Sequence, residues 1–137
     1  MIIANGLVPP LAFDPDSRIR IPVDTPMKRF YEEHVAYLDA RDYTRLVEEH
    51  YHHDAAVISA GYVVIGREQL LEHFARYCEM MGHLEVLSTD RWIESENTMA
   101  FEATARTQLG MARVHDAFLL RDGKIYRHFT GVIPMQG

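Results

Sequence analysis

The apolar positions of this chain keep two periods, and the change between them falls at Gly82. Before it they recur every three or four residues. Phe30, Tyr31, Val35, Tyr37 and Leu38 form one broad arc when wound at about 100° per residue. Leu70, Leu71, Phe74, Tyr77, Cys78 and Met81 form a second helical stripe. Thr25-Pro26 opens the first helix, because the threonine hydroxyl can cap it and proline suits the first helical position. That helix is predicted over residues 26 to about 40. Asp42 caps a shorter one, 43 to about 52, which buries Leu46, Val47 and Tyr51. Residues 55–60 suit a short buried strand, and 61–65 a turn and a second short strand. Gly66 then precedes a third helix over 67–81.

After Gly82 the period is 2, the signature of strands. Residues 84–94 read as one strand, 95–97 as a turn, and 98–109 as a second strand that alternates Phe101, Ala103, Ala105 and Thr107 against Glu102, Thr104, Arg106 and Gln108. Gly110 breaks the run. A third strand follows over 111–120, Asp122-Gly123 gives a hairpin turn, and a fourth strand covers 124–133. Helices first and an antiparallel meander afterwards make an α+β domain, with the helices on one face of a curved sheet. Residues 1–24 hold Pro9, Pro10, Pro15 and Pro22 and no usable period, so they read as an extended N-terminal arm ahead of a single domain over 25–137. The arm is too apolar for a free tail and is expected to lie across the body, a neighbouring subunit or the mouth of a pocket.

Composition narrows the class. The 137 residues carry a net charge of -6, and the 14 lysines and arginines form no stripe. Nucleic-acid binding needs clustered cations, and an acidic surface is repelled by anionic lipid, so neither partner is expected. Cys78 is the only cysteine, which rules out an intramolecular disulfide and a thiolate metal cluster. The opening MIIANGLVPP lacks the basic start and long apolar core of a signal peptide, and a reducing, cytoplasmic compartment is the expectation.

Candidate chemistry gathers at a few positions. His34 lies near the centre of the first apolar arc, with Asp39 at its edge close to the helix end. A titratable ring in that setting is either a satisfied core histidine or a functional one. Period 2 puts Val114, Asp116, Phe118 and Leu120 on one face, which sets a carboxylate in an apolar row. Buried, it would carry a raised pKa and could donate a hydrogen bond at neutral pH. His128, on the last strand, is a further inward candidate. The run His50-Tyr51-His52-His53-Asp54 looks metal-binding by composition, but helical spacing spreads it around a helix end and no metal site is expected.

Three segments together resemble the nuclear transport factor two-like superfamily, whose members include ketosteroid isomerase, scytalone dehydratase, bile-acid dehydratases and the SnoaL-like polyketide cyclases. They are YLDARDYTRLVEEHYHHDAAV, VVIGREQLLEHF and HDAFLLRDGKIYRHF, and the likeness spans about residues 26–133. The resemblance implies a cone-shaped, cystatin-like roll with a pocket between the concave sheet and three helices. His34 falls where ketosteroid isomerases and bile-acid dehydratases place a tyrosine that hydrogen-bonds substrate oxygen. Asp39 falls on the aspartate that dehydratases of this fold use beside a catalytic histidine, and His83 follows the third helix as that histidine does. An Asp39–His83 dyad at the pocket wall is therefore implied. Asp116 matches the inward aspartate that ketosteroid isomerases keep protonated in an oxyanion hole. Tyr37, Phe74, Phe118 and His128 are the implied ligand-contacting residues.

One departure matters. The general-base aspartate of ketosteroid isomerases is replaced here by Ser59 or Ala60, which speaks against a steroid-isomerase mechanism. What the resemblance implies is a cofactor-independent lyase or isomerase, of dehydratase or polyketide-cyclase type, acting on a small apolar carbonyl-bearing metabolite, in a protein that pairs as a homodimer through the outer sheet face. The alternative is a non-catalytic domain of the same fold that binds a small ligand or dimerises as an accessory subunit. Epoxide hydrolysis would need an inward Asp-Arg-Asp relay, and Arg106, the evident arginine candidate, falls on the wrong face.

Overall fold

The computed structural model describes residues 24–135. All but the last residue of the arm read over 1–24 lies outside them. Helix α1 (Pro26–Asp39) starts where Thr25 Oγ1 accepts from the Lys28 N–H at 3.1 Å, with Pro26 in the first turn. Helix α2 (Tyr43–His50) is capped by Asp42, which accepts from the Arg45 N–H. Strands β1 (Tyr51–Ser59) and β2 (Tyr62–Ile65) follow, then helix α3 (Arg67–Met81) and the long strands β3 (Glu85–Glu94), β4 (Thr98–Thr107), β5 (Gly110–Arg121) and β6 (Lys124–Pro134).

The six strands form one curved sheet in the order β2-β1-β6-β5-β4-β3. Every neighbouring pair is antiparallel except β1 and β6. Three helices on a six-stranded, mainly antiparallel curved sheet is the α+β arrangement that the change of period implied, in the roll that the resemblance implied. On the inner face Met99, Phe101, Ala103 and Ala105 of β4 and Phe118 of β5 are buried, and they meet Tyr31 of α1 and Phe74 of α3. Burying an aromatic ring contributes about 1.5–3 kcal/mol, so this row is what holds the helices on the sheet.

Two elements differ from the sequence expectation. Helix α2 stops at His50, and Tyr51 opens β1 in extended backbone, fully buried and paired with Ile125 of β6. The register with β6 shifts between Tyr51 and Ala56, so His52, His53 and Asp54 fall in an irregular stretch. Helical periodicity could not separate these readings, because an apolar residue at Tyr51 suits either. The second difference is Gln108, expected to face outward from β4. It lies in the turn beyond that strand, and its Nε2 donates to the carbonyls of Glu79 and Met80 at the end of α3. Gly82 makes that contact feasible: its φ is +66°, and a Cβ there would lie 2.7 Å from Gln108 Oε1.

Candidate active site

A cavity of about 620 Å³ opens between the concave sheet face, α1 and α3. Most of its wall is apolar, including Val35, Leu38, Leu84, Val86, Phe101 and Val114. Polar groups enter from several elements. His34 comes from α1, Ser59 and Tyr62 from β1 and β2, His73 and Tyr77 from α3, Asp116 from β5 and His128 from β6. A mainly apolar cavity of this size with a few converging polar groups is the usual form of a small-molecule site.

Tyr51, His128 and Asp116 form a continuous chain of hydrogen bonds, the last two at the cavity wall. Tyr51 Oη lies 2.8 Å from His128 Nδ1, and His128 Nε2 lies 2.7 Å from Asp116 Oδ1. The side chains of His128 and Asp116 are only 7% and 11% exposed. Burial, reinforced by the Asp116 charge, pushes the Tyr51 phenol well above its ordinary pKa, so it keeps its proton and acts as the donor. With the phenol as donor, His128 accepts at Nδ1 and offers Nε2–H to the carboxylate, so both ring nitrogens have a fixed role. Val114, Asp116 and Phe118 all line the cavity, as period 2 implied, while Leu120 packs against the core.

His34 lines the same cavity, 4% exposed, with its ring centroid 6.1 Å from that of His128 and 5.0 Å from that of Phe118. Desolvation holds its pKa well below the ordinary histidine value, and the neighbouring His128 and His50 add to the effect. It is therefore a neutral ring near pH 7, able to accept a proton. Burial lowers His73 in the same way, with smaller contributions from His128 and Arg76.

The implied Asp39–His83 pair does form, but elsewhere. His83 Nε2 lies 3.2 Å from Asp39 Oδ1, with side chains 75% and 46% exposed, and neither residue lines the cavity. Asp39 ends α1 and His83 follows α3, so the two chain ends meet on the outside of the helix layer. The geometry thus brings together His34, Asp116 and His128 and leaves His83 and Asp39 apart from them. Of the expected ligand-contacting residues, Phe74, Phe118 and His128 line the cavity. Tyr37 does not: it turns toward α2, its hydroxyl donating to Glu49 and its ring edge meeting His50.

With this geometry in place, the family can be stated. A model of the SnoaL-like domain matches residues 28–128. The chain belongs to the SnoaL-like family. Solved structures with the same fold include a candidate polyketide cyclase from Sinorhizobium meliloti, 16% identical, with a TM-score of 0.65 over 79% of this chain and 100% of that one. An NTF2-like protein from Anabaena variabilis is 18% identical, with a TM-score of 0.68 over 82% and 94% of the two chains. TerC, co-crystallised with polyporic acid, is 17% identical, with a TM-score of 0.64 over 78% and 91%. No curated protein matches the sequence.

In this SnoaL-like protein several site residues were not legible from sequence. The sequence reading puts Tyr51 on a helix face and spreads His50 and its neighbours around a helix end, yet both Tyr51 and His50 turn inward at the junction of α2 and β1. The signal available was the hydrophobic match of Tyr51 with a strand whose next inward residues are Ala55 and Val57. Tyr62, His73 and Tyr77 were also missed as lining residues, and the arginine at the cavity is Arg76 of α3. Arg106 instead pairs with Glu85 on the outer face. His52, His53 and Asp54 do cluster, with donor atoms within 4.8 Å of one another, but His53 and Asp54 are exposed side chains on the surface. Among the described residues no helix is long and apolar enough to cross a membrane.

Proposed function

We propose that this SnoaL-like protein is a lyase or isomerase, of the dehydratase or polyketide-cyclase type, which moves protons on a small, mostly apolar, carbonyl-bearing metabolite without a cofactor. The observation that carries this reading is the Tyr51–His128–Asp116 chain, which meets the wall of the same apolar cavity as neutral His34. His34 takes a proton from the carbon beside the substrate carbonyl. The Asp116 carboxylate takes the proton of a neighbouring substrate hydroxyl and passes it to the carbonyl oxygen as charge develops there. The carboxylate left behind is stabilised by His128 Nε2–H, which Tyr51 holds in place. Reversing the two transfers at different atoms gives an isomer; protonating a leaving hydroxyl gives dehydration.

An accessory binding domain would also use an apolar cavity. It has no need of a carboxylate buried beside a histidine at the wall, a costly arrangement unless its chemistry is used. The relatives support the substrate class: one is named as a candidate polyketide cyclase, and TerC was crystallised with polyporic acid. The test is to screen cyclic ketones, enones and polyketide-like hydroxyketones for conversion, then compare Asp116→Asn. Loss of roughly two to four powers of ten in turnover, with fold and ligand binding intact, is expected. Conversion unaffected by Asp116→Asn would overturn the assignment.

The homodimer reading has its own support. On the outer face of the sheet Val63, Ile58, Phe129, Ala117, Ala100 and Ile93 stand in register, one from each strand, as an apolar row across all six. Ile93, Val63 and Phe129 are exposed, and a second copy packed there would cover them.

A further inference from the structure

Glu33, His50 and His34 make a line from the protein surface to the cavity wall. The Glu33 side chain is more than half exposed, and its Oε1 lies 2.8 Å from His50 Nε2. His50 is 2% exposed, with its Nδ1 3.4 Å from Nδ1 of His34, which lines the cavity. Phe30 stacks on the His50 ring at 4.0 Å between centroids and 15° between planes, so the ring is held in one orientation.

The hydrogens follow from the partners. An ionised carboxylate has none to give, so His50 Nε2 carries one and donates it to Glu33. Desolvation lowers the His50 pKa more than Glu33 raises it, so the ring is neutral near pH 7 and its Nδ1 has a lone pair. Between two Nδ1 atoms the hydrogen must then sit on His34. A neutral His34 protonated at Nδ1 has its lone pair at Nε2, and the ring lines the cavity. The other groups facing these rings are His128 on β6 and Tyr51 on β1 around His34, with Tyr37 and Glu49 near His50. None of them supplies a competing acceptor to His34 Nδ1.

We infer that Glu33 and His50 are positioning residues that hold His34 in the tautomer with Nε2 bare, and that they form the path by which the cavity exchanges protons with solvent. This deepens the proposed function and rests on His34 as the cavity base. When His34 Nε2 takes a proton, the hydrogen on His34 Nδ1 moves to His50 Nδ1, and that on His50 Nε2 moves to Glu33. One proton enters the line and one arrives at the surface carboxylate. Positive charge is never left on either buried ring, where it would be costly. The reverse sequence returns a proton to the substrate.

The test needs no substrate. In the full chain with ¹⁵N-labelled histidine, long-range ¹H–¹⁵N spectra at neutral pH distinguish the two neutral tautomers. His34 is expected as Nδ1–H and His50 as Nε2–H. Glu33→Ala, at an exposed position that the fold tolerates, removes the acceptor, and both rings should lose their single tautomer. Glu33→Gln, whose amide oxygen still accepts from His50 Nε2–H, should restore them. It should nevertheless lower turnover with unchanged substrate binding, because an amide cannot take up the proton. A wild-type His34 found as Nε2–H, or tautomers indifferent to Glu33→Ala, would overturn the relay. Either result would leave the acid–base assignment to be judged by Asp116→Asn; absence of any conversion would condemn that assignment and leave the tautomers as found.

Discussion

Burying His34 as a neutral ring ties the stability of the fold to pH, and the size of the effect can be worked out. In the unfolded chain His34 titrates near its ordinary value of about 6.5, whereas in the folded protein burial holds it well below. Between those two values the unfolded state binds a proton that the folded state refuses. Stability therefore rises with pH across the window, and His34's contribution is complete above about 6.5 and lost as pH falls below it. Going from pH 7.5 to 5.5, with the folded value still lower, His34 alone removes about 1.4 kcal/mol, one decade of proton concentration past its unfolded pKa. His50 and His73 are also lowered by burial and act in the same direction. To isolate His34, urea unfolding should be measured at both pH values for the wild type and for His34→Gln, whose amide can still donate to His50. The variant should be less stable at pH 7.5 but should lose about 1.4 kcal/mol less on acidification. Parallel losses in the two proteins would refute the reasoning, since they would mean that folded His34 takes its proton as readily as the unfolded chain.

Further outcomes follow from the same contacts. Tyr51→Phe removes the hydrogen from a buried imidazole nitrogen and should cost about 1–3 kcal/mol in urea unfolding; it should also lower kcat more than it raises KM, because His128 loses its fixed tautomer. His83→Ala should leave turnover unchanged in the same kinetic assay, since His83 and Asp39 meet outside the cavity. Phe129→Lys places a charge in the middle of the outer apolar row, and sedimentation should show a wild-type dimer converted to a monomer; a monomeric wild type at micromolar concentration would end the dimer reading.

Much of the roll was legible because its signals are local. Thr25-Pro26, Gly66 and Gly82 bracket helices whose apolar stripes have an unmistakable period, and Asp122-Gly123 fixes the last hairpin. The inward face of β5, with Asp116 among apolar neighbours, came from alternation alone. The junction of α2 and β1 did not. Whether Tyr51 continues a helix or opens a strand depends on pairing with β6, more than seventy residues away in sequence, and helical spacing carries no trace of that. The Asp39–His83 pair shows the complementary limit. Family correspondence placed the two residues beside each other, yet which side of the helix layer they occupy is set by the packing of α1 against α2 and β3 and of α2 against α3. Gln108 turned back for a similar reason, drawn by unpaired carbonyls at the end of α3 that are not visible in its own strand.

The most direct test of the central claim asks whether the cavity moves protons on carbon. Cyclic ketones and enones that bind the protein are incubated with it in D₂O, and deuterium at the carbon next to the carbonyl is followed by NMR or mass spectrometry. The account predicts that a bound ketone exchanges faster with the wild-type protein than without it, and that His34→Gln slows this exchange by two or more powers of ten (roughly the contribution of a positioned base). Ligands that occupy the cavity and exchange no faster than in buffer would contradict it.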